Sequence, residues 1–221
     1  MSREFQPLSL HLGALGMPGM TAWAGWQLVG VNAGETVYVS GAAGAVGHVA
    51  GQLAGLYGCR VIGSAGSAEK VRFLREECGF DGAFNYEEGP IRDQLKSAAP
   101  DRIDVYFDNV AGEALEAALS ALRLRGRIVA CGGISMYNEQ RPRREPSNLF
   151  NVTTKRLTKK GLIVSDWLDR RAEFEHEVGG YLRAGTLKSR ETLVHGIDQA
   201  VTAFTGLFDG TNVGKMVVQL A

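Results

Sequence analysis

A glycine-rich segment directly after a short apolar run constrains the fold of this chain more than any other feature. The run is Thr36–Val39, and the segment after it reads Ser40-Gly-Ala-Ala-Gly-Ala-Val-Gly47. Apolar residues then recur at helical spacing as far as Leu56, which predicts a strand, a glycine turn and a helix. Gly44 lets a backbone approach a diphosphate closely, and Gly47 lets the helix pack tightly on the sheet. The N–H groups at the helix start then face the anion.

The glycine spacing departs from the strict dinucleotide-binding pattern, because it is Gly41-x-x-Gly44-x-x-Gly47 rather than G-x-G-x-x-G. A glycine-rich turn without a ligand therefore stays an alternative. A Walker phosphate loop is excluded, since no Gly-Lys-Ser/Thr follows.

Predicted strands and helices alternate along the whole chain, which indicates an α/β fold with a doubly wound parallel sheet, the Rossmann fold. A hydrophobic content of 45% in 221 residues is enough for a sizeable core. Besides Thr36–Val39, the predicted strands are residues 59–63, 83–85, 103–107, 127–131, 162–164 and 215–220. Besides the helix after Gly44, the predicted helices are residues 21–27, 68–78, 91–98, 113–122, 170–184 and 197–207, the first with Thr21 near its cap.

Charge and cysteine content exclude several classes of function. Lys and Arg number 24 and Asp and Glu number 24, so the net charge is zero and nothing favours nucleic-acid or anionic-membrane binding. Three widely spaced cysteines without a CxxC pair indicate reduced thiols in the cytoplasm. The four histidines show no metal-ligand spacing, so no metal site is predicted. We find neither a secretory signal nor an apolar run long enough to span a membrane.

The end of the second predicted strand indicates which dinucleotide binds. An NAD-binding unit usually places an acidic residue there to hold the adenosine ribose. Here the segment is Gly63-Ser-Ala-Gly-Ser-Ala-Glu-Lys70, in which hydroxyls and an ammonium replace that acid. These groups suit a 2′-phosphate, so we predict NADP(H) as the cofactor. The alternatives are a helix cap for Ser67 and an exposed helix lysine for Lys70.

The chain resembles the medium-chain dehydrogenase/reductase superfamily, and within it the zinc-free prostaglandin, 2-alkenal (double-bond) and curcumin reductases. The resemblance covers nearly the whole chain in family order. Its motifs are Leu15-Gly-Met-Pro-Gly-Met-Thr-Ala22, Ser40–Gly47, Gly63–Lys70, Phe84-Asn-Tyr86, Tyr106-Phe-Asp-Asn-Val110, Cys131-Gly-Gly-Ile-Ser-Met-Tyr-Asn138 and Asn212-Val-Gly-Lys215.

The resemblance implies a role for each matching residue. The diphosphate would lie on Gly44, Ala45, Val46 and Gly47. The 2′-phosphate and adenosine would lie among Ser67, Lys70 and Tyr86. The ribose and nicotinamide would contact Asn109, Cys131, Gly132, Gly133, Ile134, Ser135, Tyr137, Leu162, Ile163 and Val164, with Met20 and Thr21 nearby. Asn212 would close over the cofactor, and Tyr137 would also be the catalytic residue beside the substrate carbonyl.

Each role has a structural alternative. Tyr86 and Tyr106 could fill core edges, Asn109 could shape a strand-end turn, and Tyr137 could be a loop aromatic. The Glu139–Asn148 segment reads as a solvated loop rather than an anion clamp.

The resemblance also implies an activity: NADPH-dependent reduction of the C=C bond of α,β-unsaturated ketones and aldehydes, small-molecule substrates. A quinone reductase and a non-catalytic NADP(H)-binding module are the alternatives. Family members carry an N-terminal GroES-like barrel domain, which is expected to be absent here. Residues 1–221 are then one NADP-binding domain, with residues 1–30 and 195–221 left from the interdomain junction. A homodimer is the predicted assembly.

Overall fold

A computed structural model describes residues 7–137 and 146–220 of the chain. The strands are β1 Thr36–Val39, β2 Arg60–Ala65, β3 Gly82–Asn85, β4 Ile103–Asp108, β5 Leu122–Ala130, β6 Thr158–Gly161, β7 Glu191–His195 and β8 Lys215–Gln219. The α-helices are α1 Met17–Val29, α2 Gly47–Leu56, α3 Ala68–Arg72, α4 Ile91–Ala98, α5 Gly112–Ala121, α6 Asn151–Thr154, α7 Arg171–Arg183 and α8 Ala200–Gly206. The described residues include no helix that is long and apolar enough to cross a bilayer.

The first six strands form one sheet in the order β3-β2-β1-β4-β5-β6, and every neighbouring pair is parallel. The chain winds outward from β1 in one direction through β2 and β3, and in the other through β4 to β6. Ligands of such sheets bind outside the carboxyl ends of the strands, at the point where the order reverses. The predicted doubly wound Rossmann fold is confirmed, and its reversal point lies between β1 and β4.

Alternating side chains on the strands feed two cores, one on each face of the sheet. Val37 and Val39 face the cluster that holds Trp23 and Trp26 of α1. Tyr38, between them, faces the opposite cluster with Leu115 of α5. This period-two alternation, with both faces covered by helices, is what a buried parallel sheet requires.

Several predicted boundaries are wrong. The fifth strand begins at Leu122 rather than at residue 127, so Leu122 belongs to this strand and not to the preceding helix. The first helix begins at Met17, four residues before Thr21, with Pro18 in its first turn. The segment predicted as one helix over residues 68–78 is α-helical only to Arg72 and continues as a π-helical turn, Phe73–Glu77. A 3₁₀ turn, Ile197–Gln199, precedes α8 in the segment predicted as a helix over residues 197–207. The sequence also gave no signal for β7.

A further error concerns the strand predicted at residues 162–164. The sixth strand is the polar stretch Thr158–Gly161, whose residues are all exposed because it is the outer edge of the sheet. Edge strands carry charged residues, so an apolar run is a misleading signal for them. Leu162 follows the strand and still donates its N–H to Ala130 O.

A smaller parallel pair, β7 and β8, lies near the C-terminus. It is joined to the glycine turn by a bridge between Gly44 and Gly214, in which Gly214 N–H donates to Ala43 O at 2.8 Å. Gly214 has a φ of 71° and lies so close to the Arg190 carbonyl that a Cβ would overlap it. The C-terminal segment is therefore tied to the main sheet at the turn that follows β1.

Candidate functional site

The glycine turn holds its shape through backbone contacts that only glycine permits. Gly41 has a φ of 56°, the left-handed region. A Cβ on Gly47 would lie 2.4 Å from Gly41 O and 2.7 Å from Ala42 Cα, so the first turn of α2 packs directly on the strand end. A Cβ on Gly44 would lie 3.2 Å from Gly41 O. The first N–H groups of a helix have no acceptor within it, so this turn can receive an anion.

Asn109, at the carboxyl end of β4, is locked onto the end of β1. Its side-chain N–H donates to Ser40 O at 2.8 Å, and its backbone N–H donates to Ser40 Oγ at 3.1 Å. These bonds place Asn109 beside the glycine turn at the reversal point of the sheet. The same bonds would form if Asn109 only shaped the turn at the end of the strand. The geometry is therefore compatible with both roles of Asn109, cofactor contact and turn formation.

The Cys131–Tyr137 loop is held against the end of β4. Cys131 N–H and Gly132 N–H both donate to Asp108 O, at 2.9 and 3.0 Å. Ile134 N–H donates to Asn109 O, and Ser135 donates to Val110 O through both its N–H and its hydroxyl. Three consecutive strand ends, those of β1, β4 and β5, are thereby joined into one wall.

Two side chains of this loop differ in their surroundings. Burial, with the nearby charge of Asp108, raises the pKa of the Cys131 thiol to about 12. Cys131 is therefore a neutral wall residue and not a thiolate nucleophile. Tyr137 is 65% exposed, at the end of a 3₁₀ turn. Its neighbour Asn138 and the Glu139–Glu145 part of the predicted solvated loop lie outside the described residues.

A buried polar network lies behind this wall. Tyr106 and Tyr38 stack at a centroid distance of 5.0 Å, and both are fully buried. The Tyr106 hydroxyl lies 2.8 Å from Asp108 Oδ1 and 2.9 Å from Ser40 Oγ. A carboxylate only accepts, so Tyr106 donates to Asp108 and its oxygen is left to accept from Ser40. Tyr106 thus fills the core, as one alternative proposed, and also connects two strand ends.

Asp108 is the functional residue that sequence reasoning missed. Its Oδ1 accepts the N–H groups of Val110 at 3.1 Å and Ala111 at 2.7 Å. Burial raises its pKa, although these bonds act in the opposite direction. Ala111 has a φ of 64° and a ψ of −150°, a region that non-glycine residues rarely adopt and that costs roughly 1–3 kcal/mol. The acid directly after a buried strand was the available signal, and the carboxylate holds this strained turn in place.

Ser67 and Lys70 follow the end of β2, and Tyr86 follows the end of the neighbouring strand β3. Ser67 is the N-cap of α3 and its Oγ accepts Lys70 N–H at 3.3 Å. The Tyr86 hydroxyl oxygen lies so close to Gly66 that a Cβ there would be only 2.5 Å away. Lys70 Nζ donates to Gly210 O at 2.6 Å, and partial burial lowers its pKa. The alternative role of Ser67 as a helix cap is therefore confirmed. The side chains of Ser67, Lys70 and Tyr86 form a polar corner beyond the ends of β2 and β3.

Asn212 lies two residues beyond Gly210, on the segment that Lys70 contacts. Its side-chain N–H donates to Gly214 O at 2.8 Å, and Gly214 in turn forms the bridge to Gly44. Leu162 is buried, Val164 is half-buried and Ile163 is 65% exposed beyond the end of β6. Asn212 is thus tied to the glycine turn, whereas Leu162–Val164 extends the wall past β5.

A cluster of three His, Cys, Asp or Glu side chains that could hold a metal ion is absent from residues 7–137 and 146–220. These residues do not fit a bound zinc ion.

A glycine turn at the reversal point of a parallel sheet, with side chains converging from the next strand ends, defines a dinucleotide-binding type of α/β domain. Residues 45–178 match the family model described as zinc-binding dehydrogenase. The match covers more than half of the chain, so the chain belongs to this family.

The chain is similar to the NADP(+)-dependent 2-alkenal reductase of Nicotiana tabacum, with 46% identity over 97% of the chain and 63% of that relative. It is 43% identical to prostaglandin reductase 1 of Mus musculus, over 96% of the chain and 65% of the relative. The crystal structure of CurA in complex with NADPH from Vibrio vulnificus superposes with a TM-score of 0.94 at 37% identity. That match covers 100% of this chain and 67% of CurA.

These findings confirm the resemblance to the alkenal and prostaglandin reductases that the sequence motifs predicted. The chain spans 63–65% of the length of these curated relatives.

Proposed function

We propose that this chain binds NADP(H) across the carboxyl ends of β1, β2, β4 and β5. The observation that carries the proposal is the glycine turn at the reversal point of the sheet, with the start of α2 packed on Gly41 and Ala42. The name of the tobacco relative and the NADPH in the CurA structure support this choice of cofactor.

The predicted roles follow the geometry of the strand ends. Backbone N–H groups of Ala45, Val46 and Gly47 bind the diphosphate, assisted by the helix dipole, and Gly44, whose own N–H donates to Gly41 O, allows the close approach. Lys70, Ser67 and Tyr86 bind the 2′-phosphate, and the Lys70 ammonium, which donates one hydrogen bond to Gly210 O, has two further N–H donors for the phosphate. Asn109 and the Cys131–Tyr137 loop contact the ribose and nicotinamide, with Leu162–Val164 beyond them. Asn212 covers the cofactor from the C-terminal segment.

For the whole protein we propose reduction of the C=C bond of α,β-unsaturated ketones and aldehydes. When bound, NADPH supplies the hydride that adds to the β-carbon of the substrate. Negative charge then develops on the substrate carbonyl oxygen, and the exposed hydroxyl of Tyr137 stabilises it by donating a hydrogen bond. A proton from water then adds to the α-carbon, which completes the reduction of the C=C bond. The wall formed by Cys131 and its neighbours stays neutral during this step, because the thiol pKa is raised to about 12.

Titration calorimetry with NADPH and NADH tests the binding proposal on this chain. We expect NADPH to bind more tightly than NADH; equal affinities would contradict the proposed 2′-phosphate corner. Absorbance of NADPH mixed with an alkenal, and separately with a quinone, tests the reaction. Faster consumption with the alkenal supports the C=C reductase, and the reverse supports a quinone reductase.

A second candidate is NADP(H) binding without turnover, which the 63% share of the tobacco relative's length favours for this chain taken alone. NADPH binding by calorimetry with no consumption in the presence of either acceptor selects it.

We further propose that the protein works without zinc, in the cytoplasm and as a homodimer. The zinc proposal is supported by the histidine spacing and by the absence of a suitable cluster among the described residues. Metal analysis of the purified protein and sedimentation velocity test the first and last of these; one bound zinc per chain or a monomer would contradict them.

A further inference from the structure

His48 lies in the first turn of α2, and its side chain contacts the glycine turn. It is 1% exposed, and its Nδ1 lies 2.7 Å from Gly44 O. The His48 backbone N–H donates to the same oxygen at 3.2 Å. One carbonyl of the glycine turn therefore has two hydrogen-bonding contacts with one residue.

The tautomer of the His48 ring follows from this contact. A carbonyl oxygen only accepts, so Nδ1 must carry the proton. Nε2 is buried and has no hydrogen-bond partner among the described residues. Burial lowers the pKa of the ring, which keeps it neutral. A buried acceptor without a donor costs free energy, so the position of His48 calls for a compensating role.

The planarity of the peptide unit connects His48 to the anion site. The C=O of Gly44 and the N–H of Ala45 belong to one rigid trans peptide and point in opposite directions. When His48 Nδ1 holds the Gly44 carbonyl towards α2, the Ala45 N–H is directed out of the helix start. The same bond keeps a carbonyl oxygen, which would repel phosphate, away from that surface.

We propose that His48 is a positioning residue: its Nδ1–H fixes the Gly44–Ala45 peptide so that the turn presents N–H groups to the dinucleotide diphosphate. The inference rests on the proposed NADP(H) function and names the residue that prepares its diphosphate site. Gly44 needs such a restraint because glycine has the widest choice of backbone conformations. The bond from Gly214 N–H to Ala43 O restrains the preceding peptide in the same way.

Two variants at this position test the proposal. His48→Phe removes the donor but keeps an aromatic ring, which suits a site where the Phe73 ring lies 6.0 Å away. His48→Asn keeps an N–H donor near the place of Nδ1. We expect His48→Phe to weaken NADPH binding about tenfold, the worth of one well-placed hydrogen bond, and His48→Asn to restore most of it.

Tyr57→Phe is the matched control. Tyr57 is the C-cap of the same helix, and its hydroxyl donates to Glu177 at 2.7 Å, far from the glycine turn. It loses a part-buried hydrogen bond without touching Gly44, so its NADPH affinity should equal that of the unaltered chain. If the NADPH affinity of all three variants fell only in proportion to the fall in their melting temperatures, the positioning role would be overturned.

A measurement on the ligand-free chain keeps this inference separate from the proposed function. We expect the ¹⁵N heteronuclear NOE of the Ala45 amide to fall in His48→Phe and to recover in His48→Asn. Nitrogen shifts of the His48 ring should report the Nδ1–H tautomer at neutral pH. An unchanged Ala45 amide, an Nε2–H tautomer or a failure of His48→Asn to rescue would each overturn it. If the unaltered chain binds no NADPH, the proposed function fails, and the Ala45 and tautomer results still decide whether His48 fixes this peptide.

Discussion

The two halves of the candidate site are built in different ways. Around Gly44, Asn109 and Cys131, backbone atoms make most of the contacts, and three strand ends are hydrogen-bonded into one wall. Around Ser67, Lys70 and Tyr86, side chains make the corner, and Tyr86 is 41% exposed. Backbone geometry is nearly fixed once the sheet forms, whereas long polar side chains can change partners on binding. The first half should therefore act as a rigid anion site and the second as the part that selects between dinucleotides.

The largest expected effect is at Gly47. In Gly47→Ala the new Cβ would overlap Gly41 O and Ala42 Cα, so the helix start must move away from the strand end. Overpacking of this kind costs about 3 kcal/mol at the upper end, and we expect NADPH affinity to fall roughly a hundredfold. Calorimetric titration measures it.

Gly55→Ala is the control for Gly47→Ala, because a Cβ there would meet only Val61, at 3.9 Å. Alanine favours the helix over glycine by up to about 1 kcal/mol, so this variant should be slightly more stable and bind NADPH normally. If the two alanine variants bound NADPH alike, backbone packing would not define the diphosphate site.

The next effect should separate the two dinucleotides. Lys70→Met removes the ammonium that faces Gly210 O, and a charge-assisted bond to a 2′-phosphate is worth about 1.5–3 kcal/mol. NADPH affinity should drop by about tenfold or more, while NADH affinity stays the same. Lys96→Met, at an exposed position of α4, should change neither. Equal losses for NADPH and NADH would remove Lys70 from the selective corner.

A smaller effect is expected for Tyr106→Phe. It removes the hydroxyl between Ser40 and Asp108 but keeps the stacked ring, so the strand-end wall loosens without a cavity. We expect about 1 kcal/mol lower stability in urea and a few-fold weaker binding of both dinucleotides. Tyr38→Phe loses only its bond with Ser64 and should lower stability without weakening binding. A change in the ratio of NADPH to NADH affinity in Tyr106→Phe would contradict the division between the two halves.

The smallest signal is a pH dependence at Cys131. Its folded pKa, about 12, is raised above the ordinary value, so little thiolate exists at pH 8.5 and alkylation should be slow. In the folded chain the iodoacetamide rate should keep rising with pH up to about pH 11. In urea the rate should level off above roughly pH 8.5. Mass spectrometry of the labelled peptide measures both, and rapid labelling of the folded chain at pH 8 would show that the wall is open.

The glycine turn and the doubly wound parallel sheet were the most predictable parts. Glycine is required where backbones touch or adopt a positive φ. The glycines at positions 41 and 47 therefore indicate, from the sequence alone, a tight turn and close backbone packing. The apolar strands β1 and β4 were predicted nearly to the residue for the same local reason. The edge strand β6 was not, because its residues Thr158 to Gly161 are chosen for exposure rather than burial.

The hydrogen-bond partners of Asp108 and His48 could not have been assigned from the sequence, although an acid at the end of a buried strand was a signal for Asp108. Each is an ordinary residue type next to a predicted element, and its meaning depends on which backbone groups lie within hydrogen-bond reach. The bond between Lys70 and Gly210 joins positions 140 residues apart, which no local pattern encodes.

The sequence by itself determined the alternation of strands and helices, the glycine turn and the family, because periodicity and glycine placement are local properties of a chain. Tertiary structure alone decided which carbonyl His48 holds, which turn Asp108 supports and where the Lys70 ammonium lies. Hydrogen bonds depend on distances of a few tenths of an ångström, and such distances exist only after the helices and strands have packed together.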